Sequence, residues 1–223
     1  MGYDFHTHSC LSDGELTPVE LARRALVEGY KAIAITDHVG TGSLSRVIRE
    51  LAEDCALVRR YWDIAAIPGI ELTHVPAQAI AETARNAKEL GAWLVVVHGE
   101  TLVEPVEKGT HLAAVSSPHV DILAHPGLLT LEEALLAARK GIFIELSARK
   151  GHCLANGHVV RVALQARAKL LLNSDAHDDG DLLTSLSAVA IATGAGLDEA
   201  DIKTMLNDNP QQLLARMPAL SPK

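Results

Sequence analysis

Residues 93–98, Trp-Leu-Val-Val-Val-His, form a continuous apolar run that ends at a histidine. A strand covered on both faces has this pattern, whereas a strand with one face in water alternates apolar and polar residues. Similar short runs recur along the chain, and longer segments with helical spacing separate them. We therefore expect seven strands, at residues 3–5, 31–36, 63–68, 93–97, 120–124, 142–144 and 169–172.

Helix signals lie between these runs. Thr17-Pro18 predicts the cap and first turn of a helix that ends before Gly29, and Thr130 predicts the cap of a helix over 131–139. Further helices are expected at 43–60, 76–90, 104–116 and 155–168, and terminal helices at 198–205 and 210–216. Strands that alternate with crossover helices pair in parallel.

About seven such units in 223 residues favour one domain over residues 1–223. The expected fold class is α/β, as a closed (β/α)7 barrel with a loose tail at 217–223. An open, doubly wound sheet is the alternative, because periodicity does not distinguish the two. The chain has neither a dinucleotide glycine fingerprint nor a phosphate-binding glycine-rich loop.

Composition limits the possible partners. A hydrophobic content of 48% is ample for a buried core, and a formal net charge of −8 argues against binding a phosphate backbone by charge alone. Three cysteines without paired spacing fit a reducing compartment. No apolar run approaches the ~20 residues of a membrane span, and the N-terminus carries no signal-like segment. We expect a cytoplasmic protein with no membrane partner.

Side chains that can bind a metal follow nearly every predicted strand. These residues are His6, His8, Asp13, Asp37, His38, Glu71, His98, His125, Glu145, Asp175 and His177. The carboxyl ends of parallel strands meet at one edge, where α/β proteins build their sites. Any one such residue is more often structural or merely solvated, but its repetition on seven strands indicates a metal site.

The type of ligand suggests the chemistry. Imidazole and carboxylate without thiolate suit Zn, Mn or Fe, and the number of ligands is enough for two or three ions. Several ions close together favour hydrolysis of a phosphate ester, since one activates water while another holds the leaving oxygen.

A set of short motifs resembles those of the PHP (polymerase and histidinol phosphatase) superfamily. They are His6-x-His8, Ser12-Asp13-Gly14, Thr36-Asp37-His38, Gly69-x-Glu71, His98, His125-Pro126 and Ser174-Asp175-Ala176-His177. The resemblance extends from Asp4 to about His177, and within the superfamily it is to stand-alone histidinol-phosphatase-like proteins. It implies a distorted (β/α)7 barrel with a trinuclear metal site at the carboxyl ends of the strands.

The resemblance also implies how the ligands divide among three ions. The first ion would be held by His6, His8, Glu71 and Asp175. Glu71 would bridge to a second ion, which His98 and His125 also hold. The third ion would be held by Asp13, His38 and His177.

Other residues near the strand ends have less certain roles. Asp37 could orient His38 or be a plain strand-end or capping acid. Glu145 could be a ligand, a partner that orients a ligand or a general base, and we favour the second of these roles. Arg149 and Lys150 either bind the substrate phosphate or are solvated loop cations. We expect that His152 and His158 do not bind the metal directly, and that His74, His111 and His119 are surface residues.

These expectations lead to a metal-dependent phosphoesterase that acts on a small phosphomonoester, with Glu71, Asp175 and His177 as catalytic residues. A nuclease or nucleotide phosphatase is the alternative, but two Trp, three Tyr and two Phe offer few platforms for stacking bases. The third possibility is a metal-binding or regulatory module without turnover.

Overall fold

Parallel strands form a nearly closed barrel in the computed structural model, which describes residues 2–218. The strands are β1 (Tyr3–Asp4), β2 (Ala32–Ile35), β3 (His38–Val39), β4 (Ala65–Leu72), β5 (Leu94–His98), β6 (Ile122–Ala124), β7 (Phe143–Ser147) and β8 (Leu170–Asn173). The order around the barrel is β1-β2-β4-β5-β6-β7-β8, and β3 pairs with β4 beyond the end of β2. The prediction of a distorted (β/α)7 barrel is confirmed.

The barrel closes between its first and last strands, mainly beyond their ends. The backbone N–H of Asp175 donates to the carbonyl of His6 at 3.0 Å, and the N–H of His8 donates to the carbonyl of Ala176 at 2.8 Å. Deeper in the barrel, the backbone N–H of Phe5 donates to the side-chain oxygen of Asn173 at 2.9 Å. These contacts exclude the open sheet.

Helices cover the outside of the barrel. They are α1 (Pro18–Val27), α2 (Leu44–Tyr61), α3 (Ile80–Glu89), α4 (Thr110–Ser116), α5 (Leu131–Lys140), α6 (Asn156–Ala166), α7 (Ser185–Gly194), α8 (Glu199–Lys203) and α9 (Asn209–Leu214). The Thr17 side chain caps α1 by accepting from the N–H of Glu20, as predicted. A π-helical turn at Thr204–Asp208 joins α8 to α9.

Alternation along the strands separates two buried clusters. Leu94 and Val96 of β5 belong to an interior cluster, whereas Val95 and Val97 pack in the cluster that the helices cover. His98 follows Leu94 and Val96 in the same alternation, so its side chain enters the barrel. By the same alternation, the side chain of Glu145 points into the barrel, as does that of Phe143 two residues earlier on β7.

The structure corrects two predicted boundaries. The strand expected at 63–68 runs from Ala65 to Leu72, so Glu71 lies within the strand. The helix expected at 104–116 begins only at Thr110, because the Glu100 carboxylate accepts from the N–H groups of Gly109 and His111 at that end. Residues 219–223 of the predicted loose tail lie outside the described residues.

Candidate metal site

Four buried side chains meet at the carboxyl ends of β1, β4 and β8. His6 Nε2 lies 3.3 Å from Glu71 Oε1, and His8 Nε2 lies 3.2 Å from Asp175 Oδ1. All four residues are at most 2% exposed. Ligand atoms around a tetrahedral ion with bonds near 2.05 Å lie about 3.3 Å apart, so these separations fit a shared ion.

His125 extends the cluster from the end of β6. Its Nε2 lies 3.6 Å from Glu71 Oε1 and 3.7 Å from Asp175 Oδ2. His6, Glu71 and His125 offer ligand atoms within 4.8 Å of one another. Glu71 therefore lies between two groups of imidazoles, as a bridging ligand would.

A third group lies nearer the mouth of the barrel. Asp13 Oδ1 is 3.5 Å from His38 Nε2 and 3.3 Å from His177 Nε2, and His8 belongs to the same group. The turn that carries Asp13 requires glycine at the next position, because a Cβ on Gly14 would overlap the carbonyl oxygen of His8.

Unsatisfied polar atoms indicate that this cluster fits cations. Among the described residues, the buried side-chain atoms without a hydrogen-bond partner all belong to the site: His6 Nε2, both ring nitrogens of His8 and of His125, Glu71 Oε1 and Glu145 Oε1. A buried polar atom without a partner costs about 1–3 kcal/mol. Divalent ions would satisfy several of these atoms at once.

The electrostatics of the site suit metal ligation. Burial opposes ionisation of Glu71 and Asp175, but the facing imidazoles hold the pKa of both carboxyl groups well below the usual range. Burial lowers the pKa of His8 to about 3 and that of His98 to about 4. His8 and His98 are therefore neutral and the acids anionic near pH 7, as metal ligation requires. Burial opposes protonation of His6 and His38 as well, but the facing carboxylates raise the pKa of both, so metal binding there would displace a proton.

Glu145 lies behind the cluster, as expected. Its Oε2 accepts a hydrogen bond from His6 Nδ1 at 2.9 Å and another from Asn173 Nδ2 at 2.7 Å. A carboxylate in this position fixes the ring and leaves His6 Nε2 facing the cluster.

Asp37 does not orient the ring of His38, which was one of its two predicted roles. Its carboxylate accepts from the backbone and hydroxyl groups of Ser9 and Ser12, at 2.6–3.0 Å, rather than from the ring of His38. Asp37 thus holds the loop that leads to Asp13. The ring of His38 has other partners, since its Nδ1 lies 2.6 Å from Thr73 Oγ1 and from Glu71 Oε2.

Two of the clustered residues have unusual backbone conformations. His125 has φ 29° and Asp175 has φ 56°, in the region that non-glycine residues rarely adopt. Both follow strand ends, where the chain must turn sharply while its side chain points inward. Strain of this kind concentrates at functional sites.

Arg149 and Lys150 separate in the structure. Arg149 lines the cavity above the cluster, and its Nη1 donates to the carbonyl of Asp175 at 3.2 Å and lies 2.8 Å from His177 Nδ1. Lys150 is exposed and does not line this cavity, as its alternative role of a solvated loop cation implies.

Two residues of the site are not in the predicted set. His152 is 8% exposed, with Nδ1 2.9 Å from Asp175 Oδ2 and Nε2 3.1 Å from Glu104 Oε1, so it contacts the cluster although it is not among the predicted ligands. Glu104 comes from the loop before α4 and also contacts His98. Their position in the sequence could have identified them, because both loops follow strand ends, at β5 and β7.

The histidines expected at the surface have different environments. His111 is 3% exposed, and its Nε2 accepts from the backbone N–H of Glu100 at 2.7 Å, so that expectation is wrong. His74 is half-exposed and lines the same cavity as Arg149. His111 is buried because α4 packs it against the loop at Glu100, whereas His74 lies on a loop, and periodicity predicts neither environment.

Within residues 2–218, no helix has the length and apolar character that crossing a membrane requires.

Two solved structures share the fold. A chain in the structure of an archaeal ribonuclease P with mature tRNA superposes with a TM-score of 0.67 at 14% identity, covering 95% of this chain and 88% of that chain. A chain from the metal-dependent tyrosine phosphatases of Bacillus subtilis and Streptococcus pneumoniae superposes with a TM-score of 0.59 at 15% identity, covering 97% and 95%. At these identities the likeness concerns the fold alone.

Sequence relatives cover nearly the whole chain. An uncharacterized protein of Methanocaldococcus jannaschii is 44% identical over 218 residues, which are 97% of this chain and 100% of that protein. A probable phosphatase of a Thermoanaerobacter species is 27% identical over 218 residues, covering 88% of this chain and 87% of that protein. The family model of the PHP domain matches residues 4–197. The chain therefore belongs to the PHP domain family.

Proposed function

We propose that this protein hydrolyses a small phosphomonoester with the help of two or three divalent ions, of Zn, Mn or Fe. As a member of its family, the chain is a metal-dependent phosphoesterase; the substrate and the ions are the proposal. The ligands would be His6, His8, Asp13, His38, Glu71, His98, His125, Asp175 and His177. The observation that carries the proposal is the convergence of buried, unpartnered nitrogen and oxygen atoms at one end of the barrel.

The cavity above the cluster supports a small substrate. Its volume is about 440 Å³, within the range of sites that bind small molecules. Among the residues that line it, Arg149 is the single arginine or lysine. One guanidinium beside the cluster suits one phosphate group, which arginine can bind through two parallel hydrogen bonds.

Each protein group would have a defined task. Bound ions supply a water of lowered pKa and neutralise the oxygens of the phosphate. Glu71, Asp175 and His177 orient this chemistry as ligands, and Arg149 anchors the phosphate. The hydrogen bond that Arg149 donates to the Asp175 carbonyl holds the guanidinium beside the ligands before substrate binds.

A nucleic-acid substrate is the second candidate. It is favoured by a sequence relative, the ribonuclease P protein component 3 of Methanosarcina barkeri, which is 26% identical and matches 96% of this chain. Against it stand the net charge of −8 and the size of the cavity. A chain that binds RNA through its backbone usually presents several lysines and arginines.

Replacing Glu71 by glutamine tests the proposal. The change removes one charge from the centre of the site at nearly constant volume. We expect more than ~100-fold loss of phosphate release and loss of bound metal, measured on the same Mn- or Zn-loaded sample. Histidinol phosphate, a nucleoside bisphosphate and a short RNA serve as substrates, and their relative turnover separates the two candidates.

Glu82→Gln, on the exposed face of α3, is the matched control and should retain both activity and metal. Wild-type turnover and metal content in Glu71→Gln would contradict the proposed site. Preferential cleavage of RNA would replace the first candidate with the second.

A further inference from the structure

His98 directs a lone pair at a carboxylate outside the predicted ligand set. Its Nδ1 lies 3.0 Å from the carbonyl oxygen of Gly99, which can only accept a hydrogen bond. Nδ1 therefore carries the proton, and in the neutral ring Nε2 has a lone pair. This Nε2 faces Glu104 Oε2 at 3.2 Å. Within residues 2–218, the carboxylate paired with His98 is Glu104 and not Glu71.

His152 approaches the other oxygen of the same carboxylate. Its Nδ1 lies 2.9 Å from Asp175 Oδ2, and the Asp175 carboxylate can only accept. Nδ1 therefore carries a proton, and Nε2 of the same ring faces Glu104 Oε1 at 3.1 Å. The Nε2 atoms of two imidazoles thus face the two oxygens of Glu104.

His98, His125 and His152 also offer ring nitrogens within 4.8 Å of one another, close enough to share one cation with Glu104. We propose that Glu104 and His152 are ligands of the ion that His98 binds, an inference that rests on the proposed metal site. The distances of 3.1 and 3.2 Å match the separation of about 3.3 Å expected between ligand atoms of one tetrahedral ion. Imidazole with carboxylate suits Zn, Mn or Fe.

The two loops that carry these residues are packed together. A Cβ on Gly151, which has φ 92°, would lie 3.2 Å from the side chain of Val103. Val103 and Gly151 directly precede Glu104 and His152 in the sequence. The His152 ring also lies 4.0 Å from the ring of His125, so the loop reaches down to the buried ligands. The ion would therefore join two loops to the barrel.

Metal titration of the full-length chain, with matched variants, tests this inference. Metal-free wild type, Glu104→Gln and His152→Asn are titrated with Zn, and binding is measured by calorimetry. We expect each variant to bind one ion at least ~10-fold more weakly while its other binding steps are unchanged. His119→Asn, a histidine outside the site, should titrate as wild type does.

A spectroscopic readout distinguishes a ligand from a residue that only positions one. Glu104→Cys and His152→Cys, loaded with Co²⁺, should gain thiolate-to-cobalt charge-transfer absorption. His119→Cys retains the native thiols of Cys10 and Cys153 and should show no added band.

Weaker binding without the new band would overturn the ligand assignment, as would wild-type titration by both variants. If these results came from a protein that still binds metal and hydrolyses phosphate esters, the proposed function would stand. A wild type that binds no Zn, Mn or Co would refute the inference and the proposed function together.

Discussion

We expect Glu145 to contribute to metal binding only by positioning the side chain of His6. It is fully buried, and its Oε2 accepts from His6 Nδ1 at 2.9 Å. The hydrogen bond places a proton on His6 Nδ1, so Nε2, which faces Glu71 and Asp175, is the nitrogen available to a metal. The other oxygen of Glu145 has no hydrogen-bond partner among the described residues.

Glu145→Gln should weaken metal binding without unfolding the protein. The amide preserves the volume but removes the negative charge, so we expect roughly 10-fold lower affinity for one ion. Metal titration followed by thermal unfolding of the same variant measures both effects. Unchanged affinity would show that His6 needs no orienting charge.

Among the helices, α5 begins with a carboxylate, Glu133, that both caps the helix and contacts the buried His111. Thr130 and Glu133 form a capping box in which each side chain bonds the other's backbone N–H. Glu133 Oε2 also lies 3.6 Å from His111 Nδ1. Burial opposes ionisation of Glu133, but the interactions with His111 and Thr130 outweigh it and lower the pKa to about 2.

This pKa predicts the pH dependence of stability. Because the folded-state pKa of Glu133 lies below its ordinary value of 4.5, the unfolded chain binds more protons between pH 4.5 and 2. The contribution is therefore complete above pH 4.5 and is lost as the pH falls towards 2. Glu133→Gln should lower the free energy of unfolding by about 1–2 kcal/mol at pH 7 and by less at pH 3.

Urea denaturation at pH 7 and at pH 3 measures the difference. Glu132→Gln, on the adjacent exposed position of the same turn, is the control and should change neither value appreciably. An equal loss at both pH values would show that the Glu133 charge adds nothing to the cap.

For the whole molecule, closure of the barrel and formation of the site depend on the same buried residue. Asn173 accepts from the Phe5 N–H at 2.9 Å and donates to Glu145 Oε2 at 2.7 Å. The first bond joins the last strand to the first, and the second holds the acid behind His6. A barrel that opened here would therefore also disorder the ligands.

Asn173→Ala should destabilise the protein strongly. It leaves a buried N–H and a buried carboxylate without one partner each, which costs about 3 kcal/mol in total. Chemical denaturation measures the loss, and Asn207→Ala on the exposed π-helical turn should cost less than ~0.5 kcal/mol. Equal stabilities would mean that the backbone bonds alone close the barrel.

Metal should stabilise the entire fold, because the ligands come from strands all around the barrel. Chelation leaves Glu71 and Asp175 buried among unpartnered nitrogens. We expect chelator to lower the melting temperature by roughly 10 °C and added Zn or Mn to restore it. Calorimetry with and without chelator measures this, and a melting temperature that does not respond would argue against ions in the buried cluster.

The sequence by itself determined the barrel and most of the cluster. The apolar run at 93–98 and its counterparts specify strands by local pattern, and parallel pairing brings their carboxyl ends together whatever the details of packing. Hence His6, His8, Glu71, His98, His125 and Asp175 could be predicted to meet. Local capping chemistry likewise predicted the start of α5 at Thr130.

The tertiary structure alone decided what the loops contribute. Glu104 and His152 meet because the β5 and β7 loops pack through Val103 and Gly151, a contact between residues 48 apart that has no periodic signal. Asp37 turned to Ser9 and Ser12 for the same reason, since hydrogen-bond partners are set by distance in space. On a helix or strand, the repeating backbone geometry determines where each side chain points. On a loop, the direction of a side chain depends on the residues that pack against it.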